Sequence, residues 1–226
     1  MESSLLGDLA QALSNINVIF YIIAYVSGGI PVGVLITRIF AKKNLLEVGS
    51  KSTGATNVYR AFVDIDPKKA KFFSLCTLFL DAIKGLVVVL IAKIVGLDFE
   101  TQYAIAIICV LGHCYSPFLG FQGGKGVSTA IGSILLLVPI EGILGLVVWG
   151  IVGKVFKVSS LSSLLGVLSG VMLSFIVPAL VPLPAAIDIN QQLGTHTPLV
   201  VLAALIFYTH LENIYRLITR QERKVL

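Results

Sequence analysis

Residues 127–157 read Val127-Ser128-Thr129-Ala130-Ile131-Gly132-Ser133-Ile134-Leu135-Leu136-Leu137-Val138-Pro139-Ile140-Glu141-Gly142-Ile143-Leu144-Gly145-Leu146-Val147-Val148-Trp149-Gly150-Ile151-Val152-Gly153-Lys154-Val155-Phe156-Lys157. The run is too long for one ordinary helical crossing, which takes about 20 apolar residues. Pro139 and Glu141 stand at its middle. Whether it counts as one crossing or two fixes the topology of the whole chain.

Working outward, clear apolar spans lie near 16–40, 72–95, 102–120, 158–181 and 197–218. After the first span come Lys42, Lys43, Lys51, Arg60, Lys68, Lys69 and Lys71; the C-terminus carries Arg216, Arg220, Arg223 and Lys224. Both groups belong on the cytoplasmic side by the positive-inside rule. One crossing at 127–157 sends the C-terminus to the outer side. Two crossings bring it back inside, along with Lys125, Lys154 and Lys157. The outer segments then hold Glu2, Asp8, Asp98, Glu100, Glu141 and Asp188, with Lys93 opposing them. The expected fold is an all-α polytopic membrane bundle of seven segments, N-terminus out and C-terminus in. Two segments (127–139 and 141–157) are under-length and open to a re-entrant arrangement.

Composition agrees. The chain has 226 residues, 56% apolar and 13% charged, against about 25% charged in a soluble domain. That excludes a disordered chain, a coiled coil and a nucleic-acid-binding domain. The formal charge of +5 therefore orients the protein in a membrane. Cys76, Cys109 and Cys114 form no CxxC pair and read as packing residues, with no metal site implied. The first 15 residues carry Glu2 and Asp8 but no Lys or Arg, unlike a signal peptide, so the first span is expected to stay in the mature protein.

Three polar stretches fall on the expected cytoplasmic side. Gly49-Ser50-Lys51-Ser52-Thr53-Gly54-Ala55-Thr56-Asn57-Val58-Tyr59-Arg60 reads as an anion site built on small residues, or as an ordinary flexible polar loop. Gly112-His113-Cys114-Tyr115-Ser116-Pro117-Phe118-Leu119-Gly120-Phe121-Gln122-Gly123-Gly124-Lys125-Gly126-Val127-Ser128-Thr129 runs glycines and a lysine into an apolar helix. That is the layout of a phosphate cradle, or of a glycine-rich turn with a snorkelling lysine. Leu119 breaks the Walker A spacing, so a nucleotide triphosphate is not implied. In His210-Leu211-Glu212-Asn213-Ile214-Tyr215-Arg216, His210, Asn213 and Arg216 share a helix face. They either cap a span or let His210, with His113, move protons. His196 falls on the outer side and is read as unrelated. Asp81 and Lys84 pair at i,i+3 within the second span, as a functional site or as an ion pair holding a loop. Gly28-Gly29-Ile30-Pro31-Val32-Gly33 should kink the first span and admit close backbone approach.

These stretches resemble the motifs of the bacterial acyl-phosphate:glycerol-3-phosphate acyltransferases. The likeness covers nearly the whole chain in order and spacing: GATNVYR (54–60), LDAIKG (80–85), GHCYSPFLGFQGGKGVST (112–129), and HLENIYRL (210–217) with Glu222 beyond it. The resemblance implies a single membrane domain over 1–226. It would transfer an acyl chain from acyl phosphate to the 1-hydroxyl of glycerol 3-phosphate. The products would be lysophosphatidic acid and phosphate, the first step of phospholipid biosynthesis. It implies no cofactor, no metal and no acyl-CoA. The expected partners are glycerol 3-phosphate, acyl phosphate and membrane lipid, not nucleic acid, and the expected form is a monomer in the cell membrane. By the same match, Ser50, Arg60, His113, Lys125, His210 and Asn213 would be catalytic. Gly54, Thr56, Asn57, Gly123, Gly124, Gly126 and Arg216 would bind substrate, and Glu222 would be structural. His113, His210 or a substrate phosphate would take the hydroxyl proton.

The chain departs from the family pattern at Gly28-Gly29, Asn44-Leu45-Leu46, Gly49-Ser50-Lys51-Ser52, Gln122, Leu211 and Arg220. Lys51 is a candidate to replace the charge lost at Leu46. These departures keep open an inactive or altered-substrate paralogue that binds a phosphate-bearing ligand. A transporter or flippase should show paired repeats around a midplane site, and none is evident.

Overall fold

The structure, a computed structural model, describes residues 14–224; Glu2 and Asp8 lie outside them. Among the described residues there are helices and no strand, apart from one isolated bridge between Ser116 and Gln122. In order, α1 is Ile16–Gly29, α2 Val32–Ile36, α3 Ala55–Phe62, α4 Pro67–Val95, α5 Phe99–Cys114, α6 Val127–Leu137, α7 Pro139–Phe156, α8 Ser159–Leu180, α9 Ile189–Leu193, α10 Thr197–Thr209 and α11 Leu211–Ile218.

Proline decides the two breaks that matter most. Pro31 has no N–H and restricts Ile30, which leaves the helical region at ψ 115°. Pro139 does the same to Val138 (ψ 71°) and then serves as the first residue of α7. The long apolar run is therefore two helices, as its proline predicts. α4 begins at Pro67 behind Asp66, whose carboxylate accepts the N–H groups of Lys68 and Lys69, and stops at left-handed Gly96.

Four described helices are long and apolar enough to cross a membrane: 16–41, 67–95, 139–156 and 159–180. α10 and α11, bent by 64°, add a fifth if taken as one span. α5 and α6 are apolar but shorter, with 16 and 11 residues. The expected distribution of short segments is thereby corrected. Residues 139–156 reach crossing length, and the shortfall lies in α6 and in α5. α5 ends at Cys114, not near 120, because Pro117 and left-handed Gly120 take the chain out of helix. Apolar side chains such as Phe72, Leu75, Ile91 and Ile94 of α4 face outward, as suits lipid.

Helices pair as α1 with α5, α4 with α6 and α7 with α8, while α10 packs on α5 and α8. Glycines on facing helices bring the backbones together. A Cβ on Gly28 would stand 2.0 Å from the Cys109 carbonyl oxygen, and one on Gly112 2.2 Å from that of Tyr25. In α4 and α6, Gly85 and Gly132 approach Thr129 and Ala82 at 2.4 and 1.9 Å in the same sense. Such contacts suit membrane helices, where packing replaces hydrophobic drive. Cys109 and Cys114 are buried and all three thiols are free, in keeping with packing roles. Glu141, expected in an outer segment, is buried. It lines a small apolar pocket between α6, α7, α8 and α10, and neither carboxylate oxygen has a hydrogen-bond partner there.

Gly132→Val should lower stability in detergent by about 1–3 kcal/mol, because its branches have no space against Ala82. Gly150, which has open space around its Cβ position, is the control: Gly150→Ala should be neutral or stabilise by about 0.5–1 kcal/mol. Thermal unfolding of both variants checks the contrast.

Candidate active site

The three polar stretches converge at one end of the bundle. They line a cavity of about 610 Å³. Its lining includes the polar Ser50, Thr56, Arg60, Asp81, His113, Lys125, His210, Asn213, Arg216 and Glu222, and the apolar Leu78, Phe79, Ile83, Leu86, Leu135, Leu146 and Trp149. A polar head and an apolar body can thus be bound together.

Asn57 organises the first loop. It is buried, and its amide nitrogen donates to the carbonyls of Leu45, Val48 and Ser52 at 3.1, 2.9 and 2.8 Å. Its oxygen accepts the Ser50 N–H at 3.1 Å. Asn57, expected to bind substrate, lines the cavity, and both ends of its amide are engaged by the chain's own backbone. It shapes the loop that carries Ser50 and, one turn along α3, Arg60. Gly49 is left-handed at φ +54°, and a Cβ there would meet the Asn57 oxygen at 2.5 Å. Lys51 is exposed and does not line the cavity, so it does not replace a site charge.

The second loop folds back over the end of α5. The Gly124 N–H donates to the His113 carbonyl at 3.0 Å, and the Thr53 N–H reaches the Gly123 carbonyl at 3.4 Å. Gly124, expected to bind substrate, approaches His113 closely and spends its N–H on the His113 carbonyl. Gly126, left-handed at φ +81°, starts α6. Lys125 points into the cavity and donates to the Asn213 side-chain oxygen. Burial pushes its ammonium pKa down to about 8, opposed by the nearby Glu222 carboxylate.

His113 faces two ways. Lys84 Nζ lies 2.9 Å from its Nδ1, and its Nε2 edge abuts Gly124. Lys84 Nζ and the Asp81 carboxylate both face Nδ1, at 2.9 and 3.6 Å, so that side of the ring is engaged within the protein. His210 differs. It stands at the bend between α10 and α11, and its Nδ1 contacts the Ile206 carbonyl at 2.7 Å. That contact requires a hydrogen on Nδ1, which leaves the Nε2 lone pair free. His196 lies apart from the cavity, stacked on Phe175.

Glu222 ties the C-terminal stretch together. It accepts from Ser160 at 2.8 Å, from Asn213 at 2.6 Å and from Arg216 Nε at 2.6 Å. Burial alone would raise its pKa, but the bonds from Arg216, Ser160 and Asn213 hold it below the ordinary value. Burial also lowers the pKa of Arg60, which feels the Glu222 charge. Sequence reasoning missed Ser159 and Ser160, which line the cavity from the start of α8; Ser159 shares a hydrogen bond of 2.9 Å with Thr56. Two serines just after the Lys154–Lys157 turn were the available signal.

Glu222→Gln should lower stability by about 1–3 kcal/mol through its weakened charged hydrogen bonds. Because the folded pKa is lowered, the carboxylate stabilises above its unfolded pKa. That contribution is lost as pH falls through the folded value. Unfolding of the two proteins at neutral and acid pH should show the difference shrinking in acid.

The sequence model of the glycerol-3-phosphate acyltransferase family matches residues 18–220. A Helicobacter hepaticus protein of that name is 58% identical over 99% of this chain and 100% of its own length. One from Wolinella succinogenes is 48% identical over 95% and 99%. The crystal structure of PlsY (YgiH), an integral membrane glycerol 3-phosphate acyltransferase, superposes in its glycerol 3-phosphate form with a TM-score of 0.77. The two chains are 30% identical, with 93% of this chain and 96% of that one covered. The lysophosphatidic acid form gives a TM-score of 0.72 at 31% identity, over 93% and 95%. By a family match over most of its length and by whole-length relatives of this identity, the chain belongs to the glycerol-3-phosphate acyltransferase family.

Proposed function

We propose that this protein transfers an acyl chain from acyl phosphate to the 1-hydroxyl of glycerol 3-phosphate, yielding lysophosphatidic acid and inorganic phosphate for phospholipid biosynthesis. One observation carries the reading: Lys125, Arg60, Arg216 and Asn213 line a single cavity together with apolar side chains such as Leu78, Ile83, Leu86 and Leu135. Both substrates carry phosphate, and the donor carries a hydrocarbon chain. Bringing two anions together needs cations in a partly desolvated site, and much of the rate comes from that positioning. Whole-length similarity to named glycerol-3-phosphate acyltransferases supports the acceptor.

In the proposed reaction the 1-hydroxyl oxygen bonds to the acyl carbon, and the bond from that carbon to the phosphate oxygen breaks. Inorganic phosphate leaves with the electron pair. The hydroxyl proton passes to Nε2 of His210, whose Nδ1 hydrogen is held by the Ile206 carbonyl. Lys125 and Arg60 neutralise the phosphates, Ser50, Gly54 and Thr56 line the donor side, and Gly123 and Gly126 shape the loop bearing Lys125. Arg216 and Asn213 act on the acceptor while anchored by Glu222. The chain's own groups suffice, without cofactor or metal. We further propose seven membrane segments, N-terminus out and C-terminus in. They comprise the four long helices, the bent α10–α11 pair, and α5 and α6. The site then faces the cytoplasm of a cell-membrane monomer.

The test is purified protein in lipid, given glycerol 3-phosphate with acyl phosphate or with acyl-CoA. Phosphate release matching lysophosphatidic acid formation with acyl phosphate alone is expected; acylation from acyl-CoA only, or from neither donor, contradicts the reading. Lys125→Met should raise the KM for glycerol 3-phosphate about 10–100-fold, the loss of one charge-assisted contact. In the wild type the ammonium is half titrated at about pH 8, charged well below it and neutral well above it. The KM should therefore climb as pH rises past about 8, and Lys125→Met should show no such climb.

A further inference from the structure

Three ionisable side chains sit together where hydrocarbon makes charge costly: Asp81 and Lys84 of α4, and His113 in the last turn of α5. Lys84 Nζ lies 2.9 Å from Asp81 Oδ1, 2.9 Å from His113 Nδ1 and 3.1 Å from the Ile30 carbonyl oxygen. The Asp81 carboxylate is 3.6 Å from His113 Nδ1, and the three side chains are 3%, 8% and 6% exposed for Asp81, Lys84 and His113. The ammonium thus joins the break of the first helix to α4 and α5.

The imidazole passes this arrangement to the second loop. A Cβ on Gly124 would stand 2.0 Å from His113 Nε2, and one on Gly123 would stand 2.2 Å from the His113 carbonyl oxygen. That carbonyl also accepts the Gly124 N–H. His113 therefore supports the loop with its ring and its backbone together, one residue before Lys125. Holding helices together does not require such a cluster. A buried ion pair replaced by apolar groups of similar shape is often neutral or stabilising. What the cluster adds over apolar packing is direction. Its hydrogen bonds fix the imidazole plane, and the plane fixes where Gly124 can lie.

We propose that Asp81, Lys84 and His113 are positioning residues for acceptor binding: through the His113–Gly124 contact they set the backbone that aims Lys125 into the cavity. The inference rests on the proposed reading that glycerol 3-phosphate binds at this loop. Asp81 and His113 also reach the cavity wall, and the role assigned to all three is to hold the loop in place. Their effect should fall on acceptor affinity more than on turnover at saturation.

The experiment is steady-state kinetics in lipid on the wild type and on the double variant D81N/K84M, which removes both charges and keeps the shape. Folding is checked by thermal unfolding. The expected result is a folded double variant whose KM for glycerol 3-phosphate rises about tenfold or more while kcat stays within about threefold. A folded double variant with wild-type KM would overturn the inference alone. A wild type with no turnover of glycerol 3-phosphate would overturn both the inference and the reading beneath it. Should the double variant not fold, His113 and Gly124 decide the matter. Gly124→Ala collides with the imidazole and should raise KM, and adding His113→Ala should bring KM part of the way back. Additive losses in that pair would overturn the inference.

Discussion

In hydrocarbon, a backbone N–H or C=O without a partner costs several kcal/mol. The chain breaks its helices at Pro31, after Cys114 and at His210, and side chains answer the freed groups. Lys84 reaches the Ile30 carbonyl, Ser116 Oγ the Gly29 carbonyl at 2.6 Å, and Tyr25 the Tyr115 carbonyl at 2.7 Å. Thr209 donates to the Lys125 carbonyl at 3.1 Å. These partners lie far away in sequence, so the breaks at Pro31 and after Cys114 are also cross-ties. Irregular backbone is tolerated here because it is buried in protein or lines a cavity, and that cavity is the candidate site.

Close packing makes the cross-ties short. Gly28 and Gly112 let α1 and α5 approach backbone to backbone, and Gly85 and Gly132 do the same for α4 and α6. α4 carries Asp81 and Lys84, and α5 ends in His113. The glycines that pack the bundle therefore also bring the charges of α4 within reach of the loop after α5. Stability and site geometry share these residues, and substitutions in the packing should reach the site without touching it.

Much of this was legible in the sequence. Pro139 marked the division of the longest apolar run, Pro31 the kink of the first span, and i,i+3 spacing the Asp81–Lys84 pair. His210, Asn213 and Arg216 do line one cavity with the two glycine-bearing loops. What stayed hidden depends on contacts distant in sequence. Asn57 looks like a ligand residue in a polar loop, and only the folded loop shows its amide turned onto three carbonyls. Nothing local to His113 reveals that Lys84, 29 positions earlier, engages its Nδ1. The end of α5 at Cys114 was obscured because the apolar run continues through Phe118 and Phe121, which stay exposed outside the helix. Ser159 and Ser160 belong to a serine-bearing helix start that lies outside the three polar stretches.

On the proposed reading, three polar stretches assemble one anion site before any donor arrives. Equilibrium binding of radiolabelled glycerol 3-phosphate to the protein in lipid, without acyl donor, tests it most directly. The account predicts saturable binding that is strongly weakened in folded Lys125→Met. Absence of binding to the wild type, or equal binding by Lys125→Met, would contradict it.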